Sequence, residues 1–337
     1  MKKYRTGILS ALLLWECGSF AVRAVEIEER IPPSIWKAEL QYQVTPSYNE
    51  YLTNRRERAP LKELYLRPKQ WIDQVEGDLS REEKITTLTL EYGLSESWSA
   101  QLTIPSIQRQ QKSQLRIKPD AVLTPDEQTQ LQSILDSFPE EEVSGIGDIT
   151  LQLGGELQTT HTIFVKGGFL FELPTADTDD SLRGAHSHVI GENQTDVGFF
   201  LHFARYPREP RLSNNIRIEV KTQLEGSRRT LEGRTAKYMG GNVLDFRYNW
   251  IYELSNCFMG MELQRTQGGQ STLGGAGQND SFYLLQLHSE IGYGSLTDFE
   301  KDGSVWPHQL KLGLSYPLLG ENTPFSPMWH LLFLTYF

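Results

Sequence analysis

The chain has 337 residues, 38% of them hydrophobic and 23% charged, with a formal net charge of −10. That acidic balance argues against nucleic acid as a partner. Mean hydropathy is −0.44, and beyond the N-terminal region no stretch approaches the roughly 18 apolar residues of a spanning helix, so a membrane location requires a closed barrel, the other structure that satisfies every backbone group in lipid.

Met1 to about Ala24 has Lys2, Lys3 and Arg5, a short apolar run from Ile8 to Trp15, and a small-residue cleavage site at Val22-Arg23-Ala24. This is the pattern of a secretory signal peptide. Cys17 invites a lipoprotein reading, but Trp15 and Glu16 stand where a lipobox needs small residues, so cleavage after Ala24 is expected. Loss of that segment takes the formal charge to about −13. It also leaves Cys257 as a single cysteine with no internal disulfide partner. The expected organisation is a signal peptide over 1–24, a periplasmic N-terminal segment over 25–35 and a barrel over 36–337.

From Trp36 onward the chain reads as roughly twelve alternating segments near the ten-residue length of a tilted membrane strand. In the first, Trp36, Ala38, Leu40, Tyr42 and Val44 oppose Lys37, Glu39, Gln41 and Gln43. Further on, Ile216, Ile218 and Val220 oppose Arg217, Glu219 and Lys221, and Leu244, Phe246, Tyr248 and Trp250 oppose Asp245, Arg247 and Asn249. Strand side chains alternate sides, so each segment has one apolar and one polar face. A soluble sandwich alternates too, with its apolar face inward. The 14 Tyr, 15 Phe and 7 Trp suit the aromatic girdles of a membrane barrel.

Short links at Gly93–Glu96, Gln158–His161 and Leu254–Asn256 alternate with long ones at Ser47–Arg81, Gln111–Gly145 and Pro174–Gln194. Tight turns on one side and long loops on the other are the barrel pattern, with both termini in the periplasm for an even strand number. Tyr206–Ser213 and Gly294–Ser304 are less tight than that rule expects, which leaves counts of ten or fourteen open. Thr124-Pro125-Asp126-Glu127 in the second long link predicts a helix start, with a hydroxyl cap, Pro at the first position and Glu three residues after the cap. Leu131, Ile134, Leu135 and Phe138 make its apolar stripe, and Pro139 ends it. It reads either as a loop helix packed on neighbouring loops or as a lid. Leu61–Val75 is either a second short helix or a bent extension, and Gly268–Gly277 reads as a flexible loop.

The polar faces place Lys37, Glu39, Glu91, Asp148, Glu156, Lys166, Glu172, Arg217, Glu219, Lys221, Asp245, Arg247, Glu253, Glu262, His288, Glu290 and Lys311 in the lumen. Mixed charges there either pair across the interior and close it or line a narrow aqueous path. His186 and His188, with Asp177, Asp179 and Asp180 nearby, are weak metal candidates, and a solvated polar loop is the ordinary reading. No cofactor is expected: the Gly145-Ile146-Gly147 run opens a strand with no helix behind it to hold a phosphate. Ser289 and His288 fall on opposite faces, the wrong geometry for a lipid hydrolase's nucleophile and base.

The last stretch, Met328–Phe337, puts Trp329, Leu331, Phe333 and Phe337 on one face, interrupted by Thr335. An alternating strand ending on Phe resembles the C-terminal signal of bacterial outer-membrane barrels, in which the assembly machinery reads that strand and it closes the barrel. Three motifs carry a second resemblance: Ser144-Gly145-Ile146-Gly147-Asp148-Ile149, Phe171-Glu172-Leu173-Pro174-Thr175 and Thr195-Asp196-Val197-Gly198. They resemble a loose superfamily that includes the outer-membrane proteins of phenol meta-pathway clusters and a related proteobacterial family of unknown function. Ala176 stands where relatives usually have Gly, and 185–194 departs from their glycine-rich spacing. The resemblance implies a barrel that takes up small, often hydrophobic compounds, and it transfers no functional residue.

The expectation is therefore an all-β, antiparallel transmembrane barrel of the bacterial outer membrane with about 12 strands and one short loop helix. Its function would be a channel or uptake protein for small compounds. Its partners would be outer-membrane lipid, the barrel-assembly machinery and a small-molecule solute. The alternatives are a closed structural or docking barrel acting through its loops and, less favoured, a lipid hydrolase.

Overall fold

A computed structural model of the chain describes residues 31–53, 57–66, 69–136, 138–160, 162–176, 194–205, 212–229, 235–254, 257–277, 281–294 and 308–337. The signal region, His186 and His188 lie outside these residues. The alternating segments form twelve barrel strands: β1 (Trp36–Tyr48), β2 (Leu79–Gly93), β3 (Trp98–Ser113), β4 (Ile149–Thr159), β5 (Ile163–Leu173), β6 (Asp196–Arg205), β7 (Leu212–Gln223), β8 (Val243–Leu254), β9 (Cys257–Gly268), β10 (Phe282–Gly294), β11 (His308–Glu321) and β12 (Met328–Tyr336).

Each strand pairs antiparallel with its sequence neighbours, and β12 pairs with β1 to close the ring, from Lys37 opposite Tyr336 to Val44 opposite Trp329. Closure leaves no free sheet edge along the wall, the condition for a barrel in lipid. The outer face is apolar: Leu40, Phe169, Phe199, Met261, Leu312 and Leu331 are all exposed there. Such a surface is unstable in water and suited to hydrocarbon, the reverse of a soluble barrel. Aromatic residues ring the short-turn end of this wall, where Trp36 and Tyr92 lie 4.7 Å apart and Trp98 and Tyr293 are exposed.

The β3–β4 ladder is interrupted. It stops at Thr103 opposite Thr150 and resumes at Ser106 opposite Ile146, in a short strand at Glu141–Ile146 that continues the line of β4. Pro105 lacks the N–H a regular ladder needs there. Instead the Gly147 N–H donates to the Pro105 carbonyl at 2.8 Å, and the Thr175 hydroxyl donates to the Gly147 carbonyl at 3.0 Å. The Ala176 N–H donates to Asp148 Oδ1 at 3.1 Å.

At the long-loop end, the first and second long links share a hydrophobic core of their own. Leu61, Leu66, Trp71 and Val75 pack with Leu131, Leu135 and Phe138. Leu61–Val75 resolves into a one-turn helix α1 (Leu61–Tyr65) and a 3-10 turn (Lys69–Gln74), and the capped segment forms α2 (Pro125–Asp136). The α2 stripe is thus buried on a neighbouring loop. The strand pair Val75–Glu76 with Arg116–Ile117 ties these two links together, and Tyr51–Leu52 with Thr323–Pro324 ties the first of them to the β11–β12 connection.

Two local expectations need correction. The segment Gly268–Gly277 is not simply flexible, because Thr272–Leu273 pairs with Tyr238–Met239 and Ala276–Gly277 folds back on it. Backbone ladders need no side-chain signal, so composition hides them. The second long link is shorter than Gln111–Gly145, since β3 runs to Ser113 and Glu141–Ile146 is itself a strand.

Candidate functional site: the barrel lumen

The inner face is built from the odd or even positions of each strand, and it divides into three regions. At the short-turn end it carries two apolar clusters. Phe164, Ala204, Ile251 and Phe258 form one buried cluster, and Leu334 and Tyr336 of β12 form another with Ile31, against which Ile35 and Leu332 pack. A lumen read only from its charged positions misses these groups, because a large apolar residue on a polar face looks like noise in a single strand.

The β2–β7 half is filled by paired charges. Lys166 Nζ lies 2.7 Å from Glu91 Oε1 and donates to Ser99 Oγ at 2.8 Å, while the Ser99 hydroxyl donates to the same carboxylate at 2.7 Å. Lys37 Nζ approaches the other Glu91 oxygen at 3.9 Å. Lys166 donates to Ser99 Oγ rather than accepting from it, so it is not placed as a base for that serine. Arg217 bonds Gln152 at 2.9 Å and Glu219 at 3.0 Å and stacks over Phe200 at 4.8 Å. Lys221 joins Glu172 at 3.0 Å to Glu219 at 3.6 Å. His202 sits opposite Arg217 in the β6–β7 ladder.

The remaining part, bounded by β1 and β8–β12, holds a cavity of about 510 Å³. Glu39, Gln41, Gln43, Arg247, Asn249, Glu262, Gln264, His288, Glu290, Lys311, Ser315 and His330 line it, with Met328 and Leu332 as apolar contacts. Arg247 is held by Asp245 at 2.6 Å, whose second oxygen accepts from Gln264 at 2.6 Å and Thr266 at 2.7 Å. The Gln264 amide oxygen accepts a hydrogen bond from His288 Nε2–H at 2.8 Å, which leaves His288 Nδ1 to accept from the Ser315 hydroxyl. Ser289 faces outward and donates to the Leu314 carbonyl at 3.4 Å. It shares no contact with the His288 ring.

Of the charged positions named from sequence, Glu39, Arg247, Glu262, His288, Glu290 and Lys311 meet around the cavity. Lys37, Glu91, Lys166, Glu172, Arg217, Glu219 and Lys221 sit in the paired half. Asp245 anchors Arg247, Glu156 lies near Lys166 at the short-turn end, and Glu253 is opposite the buried Phe258. Asp148 lies in the wall interruption rather than in a strand. His330 was legible by parity, two residues from Leu332 on the inner face of β12, yet only the tertiary fold places it beside Glu290.

The fold has solved counterparts. The chain is similar to an outer membrane channel from Pseudomonas putida F1, with a TM-score of 0.64 and 14% identity over 91% of this chain and 97% of that one. It overlaps more loosely with the CymD monoaromatic hydrocarbon channel, at TM-score 0.42 and 10% identity over 91% of this chain and 89% of that one. The NanC porin stands at TM-score 0.42 and 9% identity, over 88% and 98% of the two chains. No family model matches the chain, and no curated protein matches it. At 14% identity the likeness is one of fold, an antiparallel outer-membrane-type barrel.

Proposed function

We propose that the chain is an outer-membrane channel that admits small compounds, with its short turns toward the periplasm and its long loops outside. What supports the reading above all is the polar cavity of about 510 Å³ inside a closed wall whose outer face is apolar. A wall that had only a structural role would gain by filling that space, since packed interiors are more stable than voids. The barrel fold shared with the Pseudomonas putida F1 channel agrees with it. On this reading Met328–Tyr336 also serves as the strand by which the assembly machinery closes the barrel, and no chemistry is catalysed. The 1–24 segment is the exported chain's signal peptide.

The test is conductance of the refolded protein across a planar lipid bilayer, beside a variant lacking 121–136. Discrete current steps establish an open path, and larger steps in the deletion identify α2 as part of its lid. Silence in both forms rejects the channel and leaves a closed barrel acting through its loops.

A further inference from the structure

We propose that Ile31 forms the constriction at the short-turn mouth of the lumen and so decides the size and polarity of what passes, a reading that rests on the channel assignment for there being a path to constrict. Ile31 precedes the first strand, yet it is only 5% exposed, because it packs on Leu334 and Tyr336 of the β12 inner face. The same residue lines a recess of about 20 Å³ together with Ser99, Phe164 and Lys166. Phe164 and Lys166 belong to β5, which stands five places from β12 in the closed ring, through β1, β2, β3 and β4. A residue that borders both strands lies within the mouth rather than against one wall. Leu332 packs on the Ile31 cluster and also lines the larger cavity of about 510 Å³, so the cluster is the floor of that cavity.

The backbone holds Ile31 in this place. The Ile35 N–H donates to the Pro32 carbonyl at 3.2 Å and closes a turn centred on Pro33 and Ser34. Ser34 has φ of 65°, an angle that only Asn322 shares among the described non-glycine residues; Pro followed by a positive φ suits a type II turn. An unfavourable angle persists where its surroundings over-determine it. Here the Ser34 N–H donates to the Gly93 carbonyl at 2.8 Å and the Gly93 N–H donates to the Ile35 carbonyl at 3.0 Å, which pins the turn to the end of β2. Gly93 permits the approach, since a β-carbon there would stand 2.1 Å from the Pro32 carbonyl oxygen and 3.0 Å from that of Ile31. Apolar constrictions resist hydrated ions by dewetting as well as bulky solutes by size. Ile31, with Phe164 on one side and Leu334 on the other, makes this passage both narrow and apolar.

The test is single-channel conductance of the refolded barrel in planar lipid bilayers beside Ile31→Ser, which removes the apolar side chain, and Gly93→Ala, which displaces the turn that carries it. Both variants are expected to give unit steps at least twofold larger than the parent protein, with heat-resistant gel migration showing that each barrel has formed. Unchanged steps in both folded variants overturn the constriction and leave the channel reading standing, whereas absence of current in every form overturns the channel and the constriction with it. A second measurement needs no current. Ile31→Cys in a Cys257→Ser background is treated with a cationic methanethiosulfonate and followed by mass. Its thiol is expected to react at least tenfold more slowly in the folded barrel than in urea, and adding Gly93→Ala is expected to speed the folded reaction. Equal rates in the folded and urea-unfolded protein overturn the inward placement of residue 31, whatever the currents.

Discussion

The side chain of Glu290 lies across Gly260 on the neighbouring strand, so that a β-carbon at this glycine would stand 2.7 Å from both Cγ and Oε1 of the carboxylate. The two residues are ladder partners, and on the next strand Gly313 lies under the ring of His330 in the same way. Glycine here is a matter of room, not of backbone freedom: it lets a long side chain lie along the wall and leaves the lumen open. Gly260→Ala should push the carboxylate inward and lower single-channel conductance. Overpacking should cost roughly 1–3 kcal/mol of stability. An unaltered current from the folded variant would show that Glu290 does not border the conducting path.

The Glu91–Lys166 pair joins β2 to β5 across two intervening strands, with side chains only 7% and 13% exposed. Removing one partner leaves a buried charge uncompensated, which costs about 3–5 kcal/mol, whereas removing both costs less. Glu91→Met should therefore lower the urea midpoint of unfolding more than the double variant with Lys166→Met. Equal loss in the two would mean that water reaches the pair.

Both the backbone N–H and the hydroxyl of Thr124 donate to Glu127 Oε2 at 2.8 Å, closing the N-terminus of α2. These bonds, the backbone one foremost, hold the Glu127 carboxyl below its ordinary value of 4.5. A depressed value in the folded state means the stabilising contribution is complete above pH 4.5 and is lost as pH falls through the lowered value. Amide exchange in the first turn of α2 should accelerate over that acidic window. In Glu127→Gln the pH dependence should vanish, and its persistence would assign it to another group.

Leu61 and Leu131 are fully buried in the core shared by the two long links. Leu131→Ala should cost this external module about 2–5 kcal/mol. Its protease sites should open at least tenfold faster while the barrel keeps its heat-resistant gel migration. Collapse of the barrel together with the loops would show that the two cores are one cooperative unit.

Trp36, Trp98 and Trp329 are exposed on the outer wall, whereas Trp71 is buried in the loop core. Brominated acyl chains should quench single-tryptophan variants retaining any of the first three and leave one retaining Trp71 bright. Quenching of Trp71 alone would place lipid at the loop core and invert the membrane assignment.

Period-two alternation is local information, and a slip of one residue would exchange the faces of an entire strand. Hence Lys37, Glu39, Gln41 and Gln43 declare their shared face without any partner being known, and the capping residues Thr124 and Glu127 announce α2 just as locally. What alternation does not carry is which inner residues oppose each other across the barrel. Glu91 and Lys166 are separated by 74 intervening positions in the chain, and nothing in either strand signals that they meet. The division of the lumen into a paired half and a cavity, the apolar clusters at the short-turn end built from Ile31, Phe258 and Leu334, and the place of His330 beside Glu290 depend on strand register and closure. Those are set by ladder bonds and packing between segments distant in sequence, so only the folded ring decides them.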